Sequence, residues 1–258
     1  MIRWCAIGDS FTYLNDHPDE TNHYVTKGYL SRTLDSLRAH GLDAELTNIG
    51  INGSTTRDWL TAPLVPADFY TILLGTNDWH SGIPLGTEED FTAARPGTIL
   101  GNLSHLIGRI RALSPEAKLL VMNPIERTDF VYLFDPFNNA PGSYAPEHGQ
   151  KLSDVAEAIY VTCARHKIPA LDLHKLCGVT PENAVRFKRV RTPEGIRDLP
   201  WPEYVGLPFD PVSDPYPYPP ESPLFDLRRS APHRQGQRDP RHTSFRRNAL
   251  RTARLIFV

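Results

Sequence analysis

Apolar residues fall along this chain in two alternating patterns. Short apolar runs at residues 2–7, 44–49, 69–74, 118–122 and 168–171 have the length of buried strands. Between them lie stretches with apolar positions at helical spacing. Residues 24–40 carry Tyr29, Leu30, Leu34 and Leu37, and Gly41 stops the pattern. Residues 98–113 place Ile99, Leu103, Leu106, Ile107 and Ile110 on one face, with Pro115 just beyond. Residues 152–166 form a third helical stretch. Strands that alternate with helices pair in parallel through right-handed crossovers. The pattern therefore predicts an α/β domain around a parallel sheet, with its functional residues at the carboxyl ends of the strands.

After Leu173 the pattern decays. Residues 192–223 are rich in Pro, Asp and Tyr and show neither period. Too few aliphatics are present for a second core, so residues 176–224 read as an ordered but irregular insertion in a single domain spanning 1–258. Residues 225–258 form a basic tail without a clean apolar period.

Composition adds little to this outline. The chain has 258 residues, 40% hydrophobic and 22% charged, which suits one globular core. A net charge of −2 gives no reason to expect a nucleic-acid or membrane partner. Cys5, Cys163 and Cys177 make no paired framework, and the first two sit in apolar patterns as packing residues. No secretory leader is read at the start, and no run approaches membrane-spanning length, so the expectation is a soluble cytoplasmic protein. His17, His23 and His80 are scattered without ligand spacing, so neither a metal nor a cofactor is expected.

Three strand ends carry candidate chemistry. Gly8-Asp9-Ser10 follows the first strand and exposes a hydroxyl, although a serine there also serves as a helix N-cap. Asn48 to Thr55 contains Gly53, whose N–H approaches a substrate oxygen with no Cβ in the way, or simply turns the chain. Gly75-Thr76-Asn77-Asp78 offers the Asn77 amide as an oxyanion donor, or an Asx turn. Each segment alone is weak; the three in this order form a constellation.

That constellation resembles the SGNH (GDSL) hydrolases. The resemblance covers roughly residues 1–175. It implies a flavodoxin-like three-layer α/β/α fold with a five-stranded parallel sheet. It implies Ser10 as nucleophile and oxyanion donor, with Gly53 and Asn77 as the other donors. No G-x-S-x-G elbow is present, which excludes the α/β-hydrolase alternative, and no Gly-rich phosphate loop follows the first strand.

The family's fourth block, D-x-x-H-P, supplies the base and its orienting carboxylate. It is absent from this sequence. Asp239-Pro240-Arg241-His242 has the spacing without the final Pro, and Asp172-Leu173-His174 has the wrong spacing. Residues 226–238 show a further property. Permitted codons for them, read one base later, spell Thr-Tyr-Asp-Gly-Leu-His-Pro-Thr-Asp-Lys-Gly-Asn-Ala, a well-formed fourth block in the expected place. Most arbitrary peptides allow no such reading. The expectation is a one-base frameshift, in the gene or in its reading, shortly before Phe225. The alternative is a divergent tail in which Asp239 and His242 act as the dyad.

The resemblance implies a hydrolase of a small carboxylic ester, such as an O-acetyl group on a carbohydrate. The competing reading is a non-catalytic binding protein that uses the same cleft without a base. Trp201, Tyr204, Tyr216 and Tyr218 either line a sugar-binding flap or pack the Pro-rich segment against the domain.

Overall fold

The computed structural model describes residues 1–21, 26–132, 135–219 and 221–222. The chain opens with β1 (Ile2–Gly8), α1 (Ser10–Tyr13), α2 (Tyr29–Ala39), β2 (Ala44–Asn48) and β3 (Phe69–Leu73). It continues with α3 (Thr76–His80), α4 (Glu88–Thr92), α5 (Ile99–Leu113) and β4 (Lys118–Met122). A hairpin of β5 (Phe130–Tyr132) and β6 (Asp135–Ala140) precedes α6 (Leu152–Arg165) and β7 (Ala170–Leu171). Then come α7 (Leu173–Leu176), α8 (Pro181–Ala184), β8 (Phe187–Thr192) and β9 (Gly195–Pro200).

The main sheet has five strands, parallel as the alternating pattern predicts, in the order β2-β1-β3-β4-β7. All five residues of β3 are buried, which a central parallel strand requires and its unbroken apolar run provides. Successive side chains point to opposite faces. Cys5 and Ile7 meet Leu103, Leu106 and Ile110 of α5 and Val155 and Ile159 of α6. Trp4 and Ala6 join Leu30 and Leu37 of α2 on the other side. The result is a three-layer α/β/α arrangement. Cys5 and Cys163 are buried free thiols, each pushed up to about 12 by desolvation, as packing residues should be.

The helices keep close to the bounds read from the sequence. Thr98 caps α5 by accepting from the Gly101 N–H, and α6 ends at His166. In α2 the cap is Gly28, later than the start read at Tyr24. The Gly28 position has no room for a side chain, because a Cβ would lie 2.6 Å from Asn15 Oδ1.

The 176–224 segment is more regular than its composition suggests. β8 and β9 form an antiparallel hairpin with six residue pairs in register. Apolar alternation is missing because polar groups hold it. Arg189 pairs with Asp198 across the strands at 2.7 Å. The inward positions of β8 are Val190 and a lysine, Lys188, whose ammonium reaches the Asp129 carboxylate at 2.5 Å with both members of the pair buried. Asp129 also accepts from the Tyr144 hydroxyl at 2.7 Å. Tyr216 and Tyr218 donate to the carbonyls of Val131 and Asp129, Tyr204 is buried, and Trp201 packs edge-on against Tyr144 and Tyr204. These four aromatics pack the insertion down.

Breaking a buried pair leaves an uncompensated charge. Lys188→Met should therefore lower the stability of the fold by roughly 3 kcal/mol, read as a lower urea midpoint. An unchanged midpoint would show that the hairpin is not anchored through this pair.

Candidate active site

The site begins where β1 ends. A Cβ at Gly8 would lie 2.0 Å from Thr12 Oγ1 and 2.9 Å from the Leu73 carbonyl, so only glycine lets the chain turn there. Asp9 then gathers the first N–H groups of α1. Its carboxylate accepts from Phe11 at 3.0 Å, and its carbonyl accepts from Thr12 and Tyr13. Ser10 opens the helix at the edge of the sheet, half-buried. Among the described residues its hydroxyl has no hydrogen-bond partner.

The second segment is tied to the same turn. The Gly8 carbonyl accepts from the Ile51 N–H at 3.0 Å and from the Ser54 hydroxyl at 3.2 Å. Gly53 lies between them, exposed, with φ at +73° and no atom within 4 Å of where a Cβ would stand. A side chain would strain the backbone there. The third segment grips the second. Asn77 Nδ2 donates to the Ser54 carbonyl at 3.0 Å. Asp78 accepts from the Thr56 N–H at 3.0 Å and from the Thr56 hydroxyl at 2.5 Å. Asn102 on α5 donates to that hydroxyl at 3.0 Å. The structure thus brings Ser10, Gly53 and Asn77 onto one edge of the sheet through a continuous hydrogen-bond chain.

Two buried carboxyls lie beneath this edge. Asp9 is pushed up to about 7, chiefly by burial, with Asp78 adding repulsion against the bond from Phe11. Asp78 is pushed up to about 6 by burial, against the bonds from Thr56. Each holds one wall of the site, Asp9 the Ser10 turn and Asp78 the Gly53 loop.

Other residues singled out from the sequence fall elsewhere. Asp239 and His242 lie outside the described residues, as does His23. His174 is structural: its N–H donates to Asn123 Oδ1, and its ring stands 2.9 Å from the Pro124 carbonyl. Thr56 and Asn102 were not legible as site residues, because one sits in a loop and the other among the apolar positions of α5. His80 is drawn into a cluster with Glu147 and Arg127. Among the described residues no group of three or more His, Cys, Asp or Glu is placed to hold a metal, and no helix is long and apolar enough to cross a membrane.

Comparison with known proteins gives the family. The model of the GDSL-like lipase/acylhydrolase family matches residues 6–189, and the chain belongs to that family. A possible lipase from Chitinophaga pinensis DSM 2588 superposes with a TM-score of 0.82 at 38% identity, over 87% of this chain and 88% of that one. A Lactobacillus plantarum protein shares the fold at 24% identity and a TM-score of 0.52, over 70% of this chain and 80% of that one. No curated protein matches. By family the chain is a carboxylic-ester hydrolase. A serine nucleophile and an oxyanion hole are typical of such enzymes.

The buried carboxyls set a pH dependence. A folded pKa raised above the unfolded value stabilises the protein at low pH, and that contribution is lost as pH rises through the folded pKa. For Asp9 the window runs from about 4 to about 7. Asp9→Asn keeps an oxygen for the Phe11 N–H and removes the titration. Its stability, followed by chemical denaturation from pH 4 to 8, should fall less with rising pH than that of the parent chain. Parallel curves would refute the assignment.

Proposed function

We propose that the protein is a serine esterase that hydrolyses a small carboxylic ester through an acyl-enzyme on Ser10. The observation that supports the reading is the Asn77–Ser54 hydrogen bond, which holds a side-chain amide against the residue that follows Gly53. Ser10 Oγ attacks the ester carbonyl, and the oxygen that gains charge is held by the N–H groups of Ser10 and Gly53 and by the Asn77 amide. An amide nitrogen has two hydrogens. One is taken by Ser54, and the other serves the oxyanion. Preorganised donors of this kind typically contribute about 10²–10³ in kcat each. The alcohol leaves with a proton, and water then hydrolyses the acyl-enzyme. The open loop at Gly53 suits a small acyl group, such as acetyl on a carbohydrate hydroxyl.

A base must take the Ser10 proton. In the chain as written the only Asp-x-x-His spacing at the tail is Asp239 to His242, without the following Pro. The reading one base later supplies Asp-Gly-Leu-His-Pro. The sequence therefore also favours a second reading, a cleft that binds esters but turns them over poorly because its base is not translated.

Two experiments separate these. Ser10→Ala should abolish the p-nitrophenyl acetate hydrolysis of the parent chain, and equal rates in the two proteins would sink the catalytic reading for this chain. Nucleotide sequencing across codons 215–240 should show Asp-Gly-Leu-His-Pro in the shifted frame. A chain expressed in that frame should gain about 10²–10⁴ in kcat, the usual contribution of a general base. A restored chain no faster than the present one would remove the frameshift explanation.

A further inference from the structure

We propose that His80 recognises a hydroxyl group on the alcohol portion of the ester, making this a site for hydroxylated alcohols such as sugars rather than simple alkyl alcohols. The inference rests on the Ser10-centred cleft proposed above. It begins with α3, a single turn. Asn77 and His80 are three residues apart on it, which places their Cβ atoms about 5–6 Å from each other on one face. Asp78 and Trp79, between them, are fully buried, whereas Asn77 and His80 are partly exposed. The helix that presents the Asn77 amide therefore presents His80 beside it.

The imidazole is held in one orientation. Its Nδ1 lies 2.6 Å from Glu147 Oε2 and 3.3 Å from Arg127 Nη2. The carboxylate is the nearer and only accepts, so Nδ1 carries a proton toward it and Nε2 is the ring nitrogen left for a ligand. Among the described residues Nε2 has no partner, and the side chain is 40% exposed. Glu147 is itself fixed. Its backbone exchanges two hydrogen bonds with Gln150, and the Gln150 carbonyl takes the Trp79 indole N–H at 2.8 Å. Arg127 lies 3.5 Å from Glu147 Oε1, bonds the Pro141 carbonyl at 2.7 Å, and stacks its guanidinium 5.0 Å from the Trp79 ring centre.

Arg127 and Glu147 compensate one another. The free group is the ring nitrogen Nε2, which a hydroxyl satisfies because it can both donate and accept, and which offers nothing to an alkyl chain.

The test uses Ser10→Ala protein, so that binding is read without turnover. Binding of 6-O-acetyl methyl glucoside and of ethyl acetate is followed by NMR titration. His80→Leu should weaken the sugar ester about three- to tenfold, the loss of one hydrogen bond, and leave ethyl acetate unchanged. His80→Gln, which retains an acceptor, should recover at least part of that loss. Equal weakening of both esters would mark His80 as merely structural, and unchanged sugar-ester affinity or no sugar-ester binding at all would overturn the proposal. Parent chain no faster than Ser10→Ala on p-nitrophenyl acetate would instead count against the catalytic reading alone.

Discussion

The structure around the site depends on one buried carboxylate. Asp78 accepts hydrogen bonds from both the backbone and the hydroxyl of Thr56. That bond joins the segment after β3 to the loop after β2, two strands that are not neighbours in the sheet. β1 lies between them and carries Ser10 at its end. With Thr56 also fixed by Asn102, the loop cannot drift away from α5, and Gly53 stays on the Ser10 side. The Asn77–Ser54 bond closes the same bracket from the next residue. The loop after β2 is fixed to the edge of the parallel sheet because adjacent residues of α3 grip it at Ser54 and Thr56.

Rigidity of this kind has an energetic cost. Asp9 and Asp78 are both buried, burial raises the proton affinity of each, and Asp78 adds to that of Asp9, so the fold holds two carboxyls where it would be more stable with fewer charges. Geometry explains their presence. An N–H at the first turn of α1 and an N–H at Thr56 both point inward, and a carboxyl satisfies each while leaving Ser10, Gly53 and Asn77 facing outward. Donors aimed at a developing oxyanion act only if they need not reorganise. The buried acids supply that stiffness at the expense of stability near neutral pH.

Most of the fold was legible because it rests on apolar periodicity. The central strands are continuous apolar runs and α5 carries a clean apolar face, so parallel pairing and helix bounds followed from pattern and the crossover rule. The three motif segments were legible because turns at strand ends need glycine and short polar residues. The β8–β9 hairpin was hidden because one of the two inward positions of β8 is Lys188, which reads as solvent-facing until Asp129 is brought to it. The support of Asn102 and the His80–Glu147 contact were hidden for a related reason. Each joins residues far apart in sequence, 46 in one case and 67 in the other, and no local pattern encodes the pairing.

The tail bears on both layers of the argument at once. On one face of the sheet α5 and α6 share the cover of β1, β3 and β4. On the other, the long helix among the described residues is α2, yet Leu120 and Met122 of β4 are part of that core, with Leu171 and Leu173 packed beside them. A parallel sheet needs both faces covered along its full width, and a further apolar helix after β7 is the covering that the topology calls for. The segment that would complete the catalytic group is the segment from which that helix would come. A tail read in the wrong frame would thus remove a base and a packing element together, whereas a merely divergent tail would have to keep the apolar face even while changing the base. Residues 225–258 as translated show no clean apolar period. A single shift of frame would remove both requirements in the same stretch, and that is the ground on which we propose it over divergence of the catalytic pair.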